Sequence, residues 1–334
     1  MFSHRLSRPA RSRALWTVAI VGLVVGGLVT AQAEAQEEEI PINNGAVSVS
    51  GGVDFTSQYW FRGMAQENQG FIAQPWIDVS LNLEPVGLEW IDVYGGVWNS
   101  IHTNDALVDT DGDGEPNGDQ TALFETDWYV GASFALPANM SLDVSYISLH
   151  DPAGGDIFAE EIDVSLAYDD SELWGDTGIP GWTGLQPYIL VAIETGGGSD
   201  GGSELGRYLE FGISPGFTIV ESEDMPIDFS LPITLGISIS DYYEVDTDPT
   251  AGVNVEDESF GFVDIGGQVS MPLSFMPAEL GEWSAYAGVH VIFLGDTTET
   301  ISGGDPASFS GAFNVTEGGE DTFVYGVFGV SMSY

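Results

Sequence analysis

Apolar and polar residues trade places at every second position through most of this chain. Val47, Val49, Gly51, Val53 and Phe55 would leave a strand on one side, with Ser48, Ser50, Gly52, Asp54 and Thr56 on the other. The same period returns in Phe71–Leu83, Trp90–Ile101, Ala122–Leu136, Met140–Leu149, Phe158–Tyr168, Leu185–Thr195, Arg207–Ile219, Ile227–Ser240, Ser259–Met271, Trp283–Leu294 and Thr322–Tyr334. About twelve strands are predicted, each long enough to cross an apolar band of about 25 Å. The connections after strands two, four, eight and ten are short or moderate, and each holds a proline. Those after strands one, three, seven, nine and eleven are longer and polar, while five-to-six is short and six-to-seven is long.

Short turns on one rim and long loops on the other are the pattern of bacterial outer-membrane proteins, with both termini on the periplasmic side. The expected fold is therefore all-β, a transmembrane antiparallel up-and-down β-barrel over residues 46–334. A soluble β-sandwich also alternates, and a secreted β protein is the rival. Its strands run nearer about five or six residues, which favours the barrel. Tyr59, Trp60, Phe61, Trp90, Trp98, Tyr168, Trp283 and Tyr334 fall at strand ends, as interfacial girdles require. Phe328, Val330, Met332 and Tyr334 share one face at the end of the chain, where they match the signal read by the barrel-assembly machinery.

Residues 1–35 read as a cleaved signal peptide. Arg5, Arg8, Arg11 and Arg13 precede the apolar run Ala14 to Val29, and Ala31-Gln32-Ala33 and Ala33-Glu34-Ala35 are small-x-small cleavage sites. Residues 36–45, with Glu37, Glu38 and Glu39, form an acidic tether. Removing the leader sharpens the charge. With cleavage after Ala33, only Arg62 and Arg207 of the 6 Lys+Arg remain, against all 52 Asp+Glu. That sign excludes nucleic acid as a partner and docking on an anionic surface through a basic patch. Cysteine is absent, which excludes a small disulfide-stapled scaffold.

With the aliphatic faces toward outer-membrane lipid, parity sends Asp54, Asp78, Asp92, Glu125, Asp127, Asp143, Glu161, Asp163, Glu194, Glu210, Asp228 and Asp264 inward. Carboxylates facing lipid would be costly, so physics agrees with parity. A negative interior attracts small cations and repels anions; the blander outcome is a solvated, plugged barrel. Arg62 is expected to pair with lumen acids or to sit at the rim over aromatic rings, and Arg207 to snorkel at the outer rim. If Arg62 is a counter-charge in the pore, Arg62→Ala raises cation selectivity.

One loop carries a metal motif. Asp109, Asp111 and Asp113, then Gly114, reproduce the first half of a calcium loop, and Glu115, Asn117 and Asp119 could add ligands. Gln120 stands where a bidentate glutamate is usual, and no flanking helix is expected, so a solvated acidic loop competes with Ca²⁺ binding. No other cofactor is indicated. Enzyme readings are poor: His102 and His150 lie in or beside loops, His290 sits mid-strand facing inward, and Ser148 near His150 has no oxyanion site beside it.

Two segments resemble the TorF-type porin family. Thr56–Gln66 is similar to its opening aromatic Phe-Arg-Gly stretch followed by glutamine, carried here by Tyr59, Phe61, Arg62, Gly63 and Gln66. Val93–Ser100 resembles its Tyr-x-Gly-x-Trp-x-Ser segment, carried by Tyr94, Gly96, Trp98 and Ser100. The likeness is specific over the first third of the chain and architectural afterwards. It implies an outer-membrane pore and supplies no catalytic residue; the missing lysine and acidic loops depart from it. The functional expectation is a diffusion channel for small cationic or neutral solutes. The alternative is a non-conducting surface barrel whose calcium-loaded acidic loops serve adhesion or envelope packing.

Overall fold

The computed structural model describes residues 46–68, 70–103, 122–152, 155–175, 177–199, 204–222, 225–246, 255–304 and 321–334. The leader, the tether and the calcium-loop residues Asp109, Asp111, Asp113, Glu115, Asn117 and Asp119 lie outside the described residues.

Twelve strands close into an antiparallel barrel. They are β1 (Val47–Thr56), β2 (Ile72–Asn82), β3 (Ile91–His102), β4 (Leu123–Leu136), β5 (Met140–Asp151), β6 (Asp156–Tyr168), β7 (Tyr188–Gly197), β8 (Arg207–Ile213 continued by Gly216–Val220), β9 (Ile227–Ser230 continued by Ile233–Ser240), β10 (Phe260–Pro272), β11 (Glu282–Leu294) and β12 (Thr322–Ser333). Each pairs with the next, and β12 returns to β1 with Val53 opposite Val330 and Phe55 opposite Phe328. Pro215 and Pro232 cause the breaks in β8 and β9, because proline has no N–H to give the ladder. Closure leaves no sheet edge.

The pattern that specifies the barrel is visible in its two surfaces. Ile77, Val130, Ile239, Val289, Val324 and Phe328 are each more than half exposed on the outer wall. An apolar surface this continuous needs lipid as its solvent. Asp78, Glu125, Asp127, Asp143, Glu161, Asp163, Glu194 and Asp264 are buried, and Asp54, Asp92, Glu210 and Asp228 are partly buried. Val289→Arg would set a guanidinium against hydrocarbon and should cost about 2–4 kcal/mol, scaled by its depth. A chemical-denaturation midpoint in detergent checks this.

Tight connections gather on the rim where Val49 and Tyr334 exchange backbone hydrogen bonds of 2.8 Å. Between β4 and β5 only Pro137-Ala138-Asn139 intervene, with Ala138 and Asn139 in the left-handed region at φ 63° and 58°. The long β6–β7 connection on the same rim is stapled by Asp170. Its carboxylate accepts from the Gln186 N–H (2.9 Å), the Leu185 N–H (3.1 Å) and the Trp174 indole (2.8 Å). Burial pushes this carboxyl up, but the hydrogen bonds from Gln186, Trp174 and Leu185 outweigh it and hold it below its ordinary range. A depressed folded-state value gives stability that is complete above the unfolded value of about 3.9 and is lost as pH falls through the folded one. Acid unfolding of Asp170→Asn should therefore show a shallower pH dependence below about pH 4 than the parent.

Candidate functional site

The interior wall is built from tyrosine, carboxylate and glycine. The Tyr94 hydroxyl donates to Asp143 Oδ1 at 2.7 Å, Tyr188 to Glu210 Oε1 at 2.6 Å, and Tyr325 to Asp264 Oδ2 at 2.8 Å. Tyr129 donates likewise to Asp78, and Tyr286 to Asp54. Phenols here donate to carboxylates as lysine and arginine do in other acidic walls, but without cancelling their charge. Glycines on neighbouring strands make the room. A Cβ at Gly131 would meet the Tyr94 ring at 2.5 Å, and one at Gly96 would strike both Tyr129 and Asp78. The rings therefore lie along the wall.

Elsewhere, Asp264 also holds His290 Nδ1 at 2.7 Å, Asp228 accepts from Thr218 at 2.7 Å, and Glu194 accepts from the backbone of Ser199 (2.7 Å) and Gly206 (2.6 Å). Glu194 thus ties down the β7–β8 loop. Arg207 is exposed and donates to Ser240 at 3.0 Å. Phe328, Val330, Met332 and Tyr334 lie on or beside the outer wall of β12, where Phe328 stacks on Phe55 at 4.7 Å.

The connection from β1 to β2 folds into the barrel. Tyr59–Phe61 and Met64–Glu67 pair as a two-stranded hairpin, and all nine residues from Tyr59 to Glu67 are buried. This corrects the girdle expectation for Tyr59, Trp60 and Phe61, and also for Trp98, which is buried 5.5 Å from the Tyr59 ring. Phe124 shares the parity of the lipid-facing Val130 on β4, yet it stacks on His102 at 4.3 Å; a register shift between Ser100 and Ile101 accompanies this departure from parity. The turn is Arg62-Gly63, with φ of 46° and 84°. Two positive φ values in succession are the signature of a type I′ hairpin turn, which suits glycine but strains arginine by about 1–2 kcal/mol. Strain of that size persists only when surrounding contacts over-determine it.

Those contacts surround Arg62. It is 2% exposed, and its fork donates to Glu161 Oε1 (2.7 Å) and Asp163 Oδ2 (3.1 Å) on β6 and to the Tyr242 hydroxyl (2.5 Å). Its guanidinium lies 4.7 Å from the Tyr208 ring centre on β8 and 5.4 Å from that of Tyr242. The Tyr243 hydroxyl donates to the Arg62 carbonyl at 2.8 Å. Around the same hairpin, Tyr59 donates to Glu125 on β4 at 2.9 Å, the Ala65 N–H donates to Ser302 at 3.1 Å, and Trp60 sits 5.0 Å from Phe323 on β12. The hairpin therefore touches strands around the whole barrel and narrows the lumen at its own level.

The two motif segments meet here. Tyr94, Gly96, Trp98 and Ser100 share the inward face of β3, where Trp98 packs on Tyr59 of the hairpin and Ser100 Oγ lies 2.8 Å from His102 Nε2. Gln66 is buried in the hairpin's second strand. Sequence reasoning missed Tyr208, Tyr242, Tyr243 and Ser302; the one legible sign was the tyrosine pair Tyr242-Tyr243 beside a predicted strand. Ser148 Oγ lies 3.0 Å from His150 Nε2, but the Trp128 indole donates to that same nitrogen at 2.7 Å, so Ser148 has no base of its own. Among the described residues, Glu204, Asp241 and Glu244 bring carboxylate oxygens within 4.8 Å of one another and could hold a cation.

No family model and no curated protein matches this chain. Among solved structures it is similar to LpxR from Salmonella typhimurium (9% identity, 85% of this chain and 99% of that one, TM-score 0.44). An outer membrane channel from Pseudomonas putida F1 (10%, 86% and 94%, TM-score 0.38) and Pseudomonas putida OprB (7%, 86% and 93%, TM-score 0.34) also match. Likeness at this level is a matter of barrel shape and says nothing of activity.

Proposed function

We propose that this chain is a bacterial outer-membrane channel for small cationic or neutral solutes, constricted by its own Tyr59–Glu67 hairpin. The observation that carries the reading is the wall itself: inward carboxylates on most strands, held by tyrosines, with Arg62 as the one arginine among them. In a confined low-dielectric tube such a wall concentrates cations and repels anions. The Asp54, Asp78, Asp92, Asp143, Glu210 and Asp228 carboxylates would form the conduction path below the hairpin. Glu125, Asp127, Glu161 and Asp163 would set the field at the constriction. The resemblance to TorF-type porins supports the same reading, because its first segment forms this constriction and Trp98 of its second packs against it. Phe328 to Tyr334 would serve the barrel-assembly machinery, and the loop at Asp109–Asp119 would bind Ca²⁺ at the cell surface. Reversal potential in a planar bilayer under a salt gradient tests the proposal. A shift toward the cation's equilibrium potential is expected; no conductance, or anion preference, refutes it.

A further inference from the structure

The Arg62 site is a box built by the wall and filled by the hairpin. Glu161 and Asp163 come from β6, Tyr208 from β8 and Tyr242 from the β9–β10 connection, and Ser199 fixes Glu161 by donating to Oε1 at 2.9 Å. Two carboxylates and two tyrosine rings around one planar cation are the recognition set for a guanidinium. Arg62 does not exhaust it. Glu161 Oε2 and Asp163 Oδ1 are buried without a hydrogen-bond partner, and so is Arg62 Nε. The tethered fork reaches the acids through its two terminal nitrogens only, from a backbone held at a strained positive φ. Buried polar atoms left unsatisfied are costly. A free guanidinium, carrying six N–H donors and no tether, could meet more of these oxygens.

We propose that this box is a binding site for small guanidinium-bearing solutes, with Arg62 as an internal placeholder that the solute displaces. The inference rests on the channel reading and supplies its solute class. Displacement frees the hairpin from β6 and widens the lumen at that level. Flat organic cations fit between the tyrosine rings; ammonium ions without N–H groups fill the charge but not the hydrogen bonds.

The test uses full-length barrel carrying Arg62→Ala, with folding checked by heat-modifiable gel migration. Guanidinium at low millimolar concentration, below any denaturing effect, is compared with Na⁺ and tetramethylammonium. The vacated box should bind guanidinium saturably, read as a rise in unfolding midpoint, about tenfold more tightly than tetramethylammonium. Equal effects of the cations overturn the proposal. If Arg62→Ala does not fold alone, guanidinium in the refolding buffer should restore the heat-modifiable form, and failure to do so overturns it too. Adding Glu161→Gln to Arg62→Ala should abolish the guanidinium preference; a preference that survives places the cation elsewhere. Cation-selective conduction without a guanidinium effect sinks this inference alone. Guanidinium stabilisation of a barrel that does not conduct sinks the channel reading and leaves the box.

Discussion

Replacing Arg62 with alanine should cost the folded barrel about 3–5 kcal/mol, because removing one partner of a buried ion pair strands the others. Glu161 and Asp163 stay on β6, two residues apart and buried, with no cation between them. The midpoint of urea unfolding in detergent reads the loss. The hairpin also loses its strongest anchor, so conductance should rise and cation preference with it, since two lumen acids are uncovered. Arg62→Lys should recover only part of both effects: a point charge cannot bridge two carboxylates as a planar fork does. If Arg62→Ala unfolds at the parent midpoint with the parent conductance, the ion pairs do not hold the hairpin.

Gly63→Val attacks the same hairpin without touching the charge. Gly63 sits at φ 84°, and a Cβ there would lie 2.6 Å from the Phe262 ring on β10. Left-handed backbone strain and a forced shift of a packed ring together predict a loss of about 2–4 kcal/mol. The functional outcome differs from that of Arg62→Ala. Conductance should increase while cation preference stays near the parent's, because the guanidinium remains inside the lumen to offset Glu161 and Asp163. Matching selectivity changes in the two variants would mean that position, not charge, sets the preference.

The strands were legible because one rule governs them. Lipid outside and carboxylates inside impose a period of two that survives even where proline divides β8 and β9. The inward position of Asp78, Asp143 and Asp163 follows from that rule. The hairpin was not legible for the same reason. Tyr59, Trp60 and Phe61 would read identically as an interfacial girdle or as an inward fold, since aromatic side chains suit both. The sign that separates them is Arg62-Gly63, a two-residue turn whose glycine permits a positive φ and whose arginine needs a buried partner to tolerate one. That partner, Glu161 with Asp163, lies about a hundred residues away and can be matched to Arg62 only once the barrel closes. Phe124 departed from parity at a register shift, where period-two reasoning loses its phase.

The most direct test is single-channel recording of the parent and Arg62→Ala side by side in planar bilayers under a potassium chloride gradient. Both should reverse on the potassium side, with Arg62→Ala passing the larger current and reversing closer to the potassium potential. Chloride-side reversal in the parent, or equal conductance in the two, would contradict an acidic channel narrowed by the Arg62 hairpin.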